Sequence, residues 1–207
     1  FVFLLSACAP VAETATAVPP TKIPSPAPTQ PPCSVVASEP TPIPGVDSLF
    51  PAVRPNEWSK GPTDAAVTIV VYNDFQCLEC NDHVLSLLAE SHPNDVRIVY
   101  RQFPQPDLYD KALLAATAAE AAGAQGKFWD MHDILFAKQS VWVFMTPDEF
   151  KPWVVNEAER FGMDRVRFEA DFNNPATLSK VQKAAEEAKA AGIPVLPLVL
   201  INGEIYY

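Results

Sequence analysis

The residues with the clearest chemical potential are two cysteines separated by two positions, Cys77 and Cys80. A β-branched run, Val67 to Val71, precedes them, and apolar residues from Val84 to Leu88 follow at helical spacing. This pattern predicts a buried strand that delivers Cys77 to the start of a helix. Free N–H groups and the positive end of a helix dipole stabilise a thiolate there, so the pKa of a cysteine falls below about 8.5. The second cysteine, one turn on, can close a disulfide or resolve a mixed one.

Local signals indicate the elements that must position this pair. Residues 96–103 alternate as a second strand, which is expected to lie parallel to the first, with a helix between the two strands. Thr146 followed by Pro147 has the pattern of a helix start, and so does Asn174 followed by proline. Residues 196–201 form a third strand, and Asn202-Gly203 predicts a type I′ hairpin after it.

Four motifs, in this order, resemble the thioredoxin superfamily, and in particular its DsbA-like branch of thiol–disulfide oxidoreductases. They lie at residues 67–80, 96–104, 125–136 and 192–203. The resemblance covers residues 59–207 and implies an α/β thioredoxin-like fold, with an inserted helical subdomain at about residues 105–174. It also implies disulfide exchange with exported, cysteine-containing proteins, a membrane redox partner that recycles the pair, and no cofactor besides the redox-active disulfide.

The resemblance assigns roles to individual residues. Cys77 is expected to be the nucleophile and Cys80 the resolving cysteine. Pro197 aligns with the family's cis-proline, which faces the cysteines and helps to bind the substrate backbone, and Leu196 beside it is expected to bind substrate. Pro194 is a weaker candidate for the cis-proline because it precedes the predicted strand.

Several positions depart from the family pattern and bear on the direction of electron transfer. Glu79 stands where strong oxidants carry histidine, Leu78 where proline is usual, and Leu196 where many relatives have threonine or valine. A carboxylate beside the thiol should disfavour the thiolate and make the disulfide less oxidising. Glu79 is therefore predicted to tune the pKa of Cys77, while the direction, as oxidase, isomerase or reductase, stays open.

Acidic residues near the cysteines have two interpretations. Relatives often have a buried acid six residues before the first cysteine, but Val71 occupies that position here. Asp74 is nearer the pair and could shuttle protons. A role at the strand end or as a cap is the favoured interpretation for Asp74.

Two other classes of function remain as alternatives. Cys77, Cys80 and His83 could supply three ligands to Cu(I) or Zn(II), although no fourth ligand is evident. A c-type haem is excluded by Asn81, because the attachment motif needs histidine directly after the second cysteine. The second alternative is a non-catalytic binding module with the same fold.

The beginning of the chain resembles the end of a bacterial lipoprotein signal. Residues 1–8 are a short apolar run that closes on Leu5-Ser6-Ala7-Cys8, and Cys8 is the predicted site of lipidation. No initiating methionine or basic stretch precedes the run, so the chain is expected to start inside its signal peptide. The family usually continues past the last strand, so the C-terminal end is also expected to be missing. The predicted location is extracytoplasmic, lipid-anchored at the bacterial cell membrane.

The segment after this signal has the composition of a tether. Residues 9–55 contain most of the 22 prolines, mixed with threonine, alanine and serine, and this composition predicts a disordered linker. Cys33 lies within it and is interpreted as an incidental, unpaired cysteine. The formal net charge of −10 argues against nucleic acid as a partner, since nucleic acid requires a basic surface.

Overall fold

A computed structural model describes residues 50–81 and 83–206. Cys8, Cys33, the signal-like residues 1–8 and most of the predicted linker lie outside the described residues. The elements, in chain order, are β1 (Trp58–Lys60), β2 (Val67–Asn73), a 3₁₀ turn (Leu78–Cys80), α1 (His83–Ser91), β3 (Val96–Gln102), α2 (Ala112–Gly123), α3 (Phe128–Ala137), α4 (Gln139–Trp142), α5 (Pro147–Arg160), α6 (Arg165–Phe172), α7 (Pro175–Ala190), β4 (Leu198–Ile201) and β5 (Glu204–Tyr206). None of the helices in these two ranges is both long and apolar enough to cross a membrane.

The strands form one mixed sheet in the order β1-β3-β2-β4-β5. β2 and β3 run parallel over their whole length, with Val67 opposite Val96 and Asn73 opposite Gln102, and α1 connects them. β4 lies antiparallel to β2 on its other side, and β5 returns along β4. The predicted parallel pairing and the α/β thioredoxin-like fold are confirmed.

Each face of the sheet contacts a different hydrophobic cluster, because successive side chains of a strand point to opposite faces. Ile69 and Val71 belong to the larger cluster, which α2, α3 and α5 also supply with side chains. Val70 and Tyr72 belong to the smaller one, which α7 closes through Ala188. Helices α2 to α6 thus form the inserted subdomain at the expected place in the chain, between β3 and α7.

The helix starts and the hairpin follow the local signals. Thr146 caps α5 with a complete capping box, in which Thr146 Oγ1 accepts from the backbone N–H of Glu149 and the Glu149 carboxylate accepts from that of Thr146. Asn174 caps α7 and is followed by Pro175. Asn202 and Gly203 have φ values of 49° and 88°, the positive values that a type I′ turn needs. These three predictions are confirmed.

The last residues of the predicted linker pack on the domain. Phe50 is only 9% exposed, and its ring lies 6.1 Å from that of Tyr72. The buried guanidinium of Arg101 donates to the carbonyl oxygen of Ala52 at 3.2 Å. The linker prediction for residues 9–55 therefore extends too far, because one aromatic side chain and one buried cation hold residues 50–55 in spite of their proline-rich composition.

Candidate active site

The two cysteines are joined in a disulfide at the end of β2. Cys77 precedes the 3₁₀ turn Leu78–Cys80, and the N–H of Cys80 donates to the carbonyl of Cys77 at 3.2 Å. Cys77 keeps 4% of its surface exposed and Cys80 none, which agrees with an outer, attacking sulfur and an inner, resolving one. The predicted α-helix begins only at His83, so a 3₁₀ turn rather than an α-helical turn follows Cys77.

The loop between β2 and Cys77 is organised by Asp74, which is buried. Its Oδ1 accepts from the N–H of Gln76 at 2.8 Å, and its Oδ2 accepts from the N–H of Gln105 at 2.7 Å. Burial raises the pKa of Asp74 to about 6, although the two backbone hydrogen bonds oppose that rise. The favoured interpretation of Asp74 as a capping residue agrees with these bonds, and the raised pKa puts a proton-binding group in the loop that leads to Cys77.

Gln76, the residue before Cys77, ties the same loop to the start of α2. Its Oε1 accepts from the N–H of Lys111 at 2.7 Å, and its Nε2 donates to Asp110 Oδ1 at 2.8 Å. The hydrogen bonds from Gln76 and Lys111 lower the pKa of the Asp110 carboxyl. Sequence analysis missed this contact, since nothing in the local pattern links positions 76 and 110.

The carbonyl groups of both cysteines accept side-chain hydrogen bonds from buried amides. Gln139, at the start of α4, donates through Nε2 to the carbonyls of Phe75 and Cys77, each at 2.8 Å. Asn73, the last residue of β2, donates through Nδ2 to the carbonyl of Cys80 at 2.8 Å. The disulfide turn is therefore held at both ends, once from the sheet and once from the inserted subdomain.

Glu79 lies beside the disulfide, as the sequence predicts. Its Oε2 is 4.0 Å from the Sγ of Cys77, and the residue is exposed. The pKa of Tyr109 is raised by burial and further by the negative charges of Glu79 and Asp74. This side of the disulfide therefore has an electronegative environment, in which a second negative charge on Cys77 would be disfavoured.

The proline predicted to face the cysteines enters the sheet at the corresponding end. The Leu196–Pro197 peptide bond is cis, whereas Pro194 is not part of a cis bond. Leu198, the next residue, pairs with Tyr72 near the end of β2, from which the chain continues to Cys77. Pro197 is exposed, while Leu196 is partly buried against the smaller hydrophobic cluster. The register thus brings Pro197 and the disulfide to the same end of the sheet.

The metal-binding alternative is not tested by these contacts. Among the side chains that the structure describes, no group of three or more His, Cys, Asp or Glu residues could hold a metal ion. The side chain of His83 lies outside that set, and the sulfurs of Cys77 and Cys80 are bonded to each other. The redox-active group present at the site is the disulfide itself.

Known proteins share both the sequence pattern and the fold. The thioredoxin family model matches residues 54–207. A curated relative, the Na⁺/H⁺ antiporter NhaA 3 of Salinispora tropica, is 32% identical over 166 residues, which are 78% of this chain and 24% of that protein. The chain therefore spans about a quarter of the length of this curated relative.

Two solved structures extend the comparison to the fold. α-DsbA1 of Wolbachia pipientis superposes with a TM-score of 0.63 at 17% identity, covering 72% of this chain and 76% of that one. A thioredoxin-like oxidoreductase from Silicibacter pomeroyi DSS-3 has a TM-score of 0.58 at 26% identity, covering 73% and 82%.

Proposed function

Since the chain belongs to the thioredoxin family and has a DsbA-like fold, we propose that it exchanges disulfides with exported, cysteine-containing proteins outside the cytoplasm. The Cys77–Cys80 disulfide in this fold supports protein disulfide oxidoreductase activity. The observation that carries the proposal is the position of that disulfide. It follows β2, at the same end of the sheet as Leu196 and Pro197, which directly precede β4. Within the protein, the exchange reaction needs only the two cysteine sulfurs.

Each direction of exchange proceeds in two balanced steps. When the protein oxidises a client, a client thiolate attacks Cys77 Sγ, the Cys77–Cys80 bond breaks, and Cys80 leaves as a thiolate. A second client thiolate then attacks the client sulfur of this mixed disulfide, and Cys77 leaves as a thiolate. Two electrons pass from the client to the pair, and solvent supplies protons to the departing thiolates. Reduction of a client disulfide is the reverse sequence.

The roles of the other residues follow from their positions. Pro197 is exposed at the end of the sheet that carries the disulfide, so its neighbourhood is open to an extended client backbone, and Leu196 would contribute the apolar part of that surface. Because Leu196 is partly buried against the smaller hydrophobic cluster, its contribution to client binding is the smaller of the two. A membrane redox partner would restore the pair to its working state.

Cys80→Ala is expected to accumulate mixed disulfides with client proteins, because Cys77 can still attack but no Cys80 thiolate is present to displace the client. Cys77→Ala should accumulate none, because Cys80 has no exposed surface. Non-reducing gels of cells that export each variant would measure this difference. As a control, Cys33→Ala added to Cys80→Ala should leave the mixed disulfides unchanged. Equal trapping by the Cys77 and Cys80 variants, or none by either, would refute the assignment.

Glu79→Gln is expected to make the disulfide more oxidising. Removing a carboxylate 4.0 Å from Cys77 Sγ should stabilise the thiolate of the reduced pair. Glu79 is exposed, so an effect of at most about 1 kcal/mol is expected, or roughly 20 mV toward a less negative reduction potential. Equilibration with glutathione would measure it, with Glu186→Gln on α7 as the control for a lost exposed charge. An unchanged potential would mean that solvent screens Glu79.

The proposed location depends on residues 1–49, which lie outside the described part. Lipidation of Cys8 would anchor the protein at the membrane, and the proline-rich segment would hold the domain away from the lipid surface. Uptake of labelled palmitate that disappears in Cys8→Ala would test the anchor. Sodium–proton antiport stays with the relatives that bear that name, because the chain matches only about a quarter of their length.

A further inference from the structure

Gln139 makes contacts that the exchange chemistry described above does not use. It is the first residue of α4 in the inserted subdomain, and its side chain is buried. Both of its hydrogen bonds in the loop go to main-chain carbonyls around the nucleophile, those of Phe75 and Cys77, at 2.8 Å each. A single side-chain amide thus bridges the carbonyls of the residues before and after Gln76.

Both backbone polar groups of Cys77, the N–H and the carbonyl, have hydrogen-bond partners. Its N–H donates to the carbonyl of Asp74 at 3.2 Å, while its carbonyl accepts from Gln139 and from the N–H of Cys80. Two of these three bonds are local and belong to the turn. The bond from Gln139 alone among them comes from a distant part of the chain, 62 residues away, and it ties the turn to the helical subdomain.

The consequence differs between the two redox states. In the disulfide, the covalent bond between Cys77 and Cys80 already restrains the turn. In the dithiol that bond is absent, and the turn is restrained by hydrogen bonds alone. Loss of the Gln139 bonds would therefore release more conformational freedom in the reduced protein than in the oxidised one. A turn that is held ready for closure gives the two sulfurs a higher effective concentration.

We propose that Gln139 is a positioning residue that holds Cys77 in the geometry for disulfide closure and thereby lowers the reduction potential of the pair. This inference rests on the proposed exchange function and adds to it a link between the inserted subdomain and the redox centre. In the closing step, the Cys80 thiolate attacks Cys77 Sγ of a mixed disulfide, the bond from Cys77 to the client breaks, and the client leaves as a thiolate. Gln139 acts on that step through the backbone of Cys77.

A buried glutamine elsewhere in the domain provides a matched control. Gln102, on β3, is also buried, and its Nε2 donates to the carbonyl of Ala116 and to Glu120 Oε1, each at 3.1 Å. Gln102→Met and Gln139→Met each remove a buried amide donor with little change in volume. Of these two amides, only that of Gln139 contacts the loop that carries Cys77.

The test compares reduction potentials and stabilities of the wild type, Gln139→Met and Gln102→Met. Equilibration with reduced and oxidised glutathione, followed by alkylation of free thiols, measures the potential without a protein client. We expect Gln139→Met to lower the equilibrium constant for closing the disulfide about tenfold, which is about 30 mV toward a less negative potential. Urea unfolding should show a larger stability loss in its oxidised form than in its reduced form. Gln102→Met should lower both stabilities equally and leave the potential unchanged.

A second variant covers the case in which Gln139→Met fails to fold. Gln139→Asn retains the amide but draws it back by one methylene, so a smaller shift in the same direction is expected. Unchanged potentials in the Gln139 variants that fold, or a shift of equal size in Gln102→Met, would overturn the inference. Because glutathione replaces the client, these results are separate from the proposed function: a Cys80→Ala variant that traps no client would refute the exchange function, even if Gln139 still sets the potential.

Discussion

Gly61→Ala is expected to lower the free energy of unfolding by roughly 3–5 kcal/mol, one of the two largest effects that we anticipate from a change at a single position. Gly61 lies in the loop between β1 and β2 with a φ of +97°, which side-chain-bearing residues rarely adopt. A Cβ there would lie 2.2 Å from the carbonyl oxygen of Val96. That oxygen belongs to the first residue of β3, opposite Val67 of β2, so relief of the clash would disturb the parallel pairing at the centre of the sheet.

Gly162→Ala separates the clash from the cost of the backbone conformation. Gly162 has a φ of +76°, but no atom lies within 4 Å of the position that its Cβ would take. Its loss should therefore be only about 1–2 kcal/mol, the cost of a left-handed conformation alone. Urea unfolding of the oxidised proteins measures both values. Equal losses at the two positions would show that the strands can move apart around an alanine at position 61.

Asp74→Asn is expected to gain stability relative to the wild type as the pH rises from 4 to 7, by roughly 2 kcal/mol. The pKa of Asp74 is raised from 3.8 to about 6 in the folded state, chiefly by burial. The folded protein therefore binds a proton there more tightly than the unfolded chain does. The stability that this proton confers is complete below pH 4 and is lost as the pH rises through 6, whereas asparagine has no proton to lose.

Unfolding free energies of both proteins at several pH values from 4 to 7 would measure this difference. Asp110→Asn is the control with the opposite sign, because the pKa of Asp110 is lowered by its hydrogen bonds from Gln76 and Lys111. Asp110 contributes stability above the pKa of the unfolded state and loses it as the pH falls. Its contribution should be small, since the carboxylate is exposed. A constant difference between wild type and Asp74→Asn at every pH would show that Asp74 titrates as an ordinary surface carboxyl.

The raised pKa of Asp74 also has a meaning for the exchange reaction. A carboxyl that titrates near pH 6 can hold or release a proton close to neutral pH. It accepts a hydrogen bond from the N–H of Gln76, the residue directly before Cys77, so its charge acts close to the proposed nucleophile. The pH dependence of exchange by the Asp74→Asn variant would therefore complement the stability measurement.

The sequence by itself determined the elements of this fold, because their signals are local. The capping box at Thr146 and the turn at Asn202 depend on hydrogen bonds or backbone angles within a few residues. The strand before Cys77 was indicated by the strand propensity of its own β-branched residues. The cysteine spacing indicated a possible disulfide, and the order of four motifs indicated the family. The resemblance to that family identified Pro197 as the cis-proline, and its peptide bond is cis in the structure.

The tertiary structure alone decided which side chains hold the active site. The partners of the Cys77 loop include Gln105, Asp110 and Gln139, which are 31, 34 and 62 residues away in sequence from the loop residues that they contact. No periodicity records such pairs, because they arise where an inserted helical subdomain packs against the end of a strand. The same reason explains Phe50, which lies in a proline-rich segment and yet packs on Tyr72. The burial of a particular side chain depends on how the whole domain packs around it. The composition of a segment therefore does not predict which of its side chains are buried.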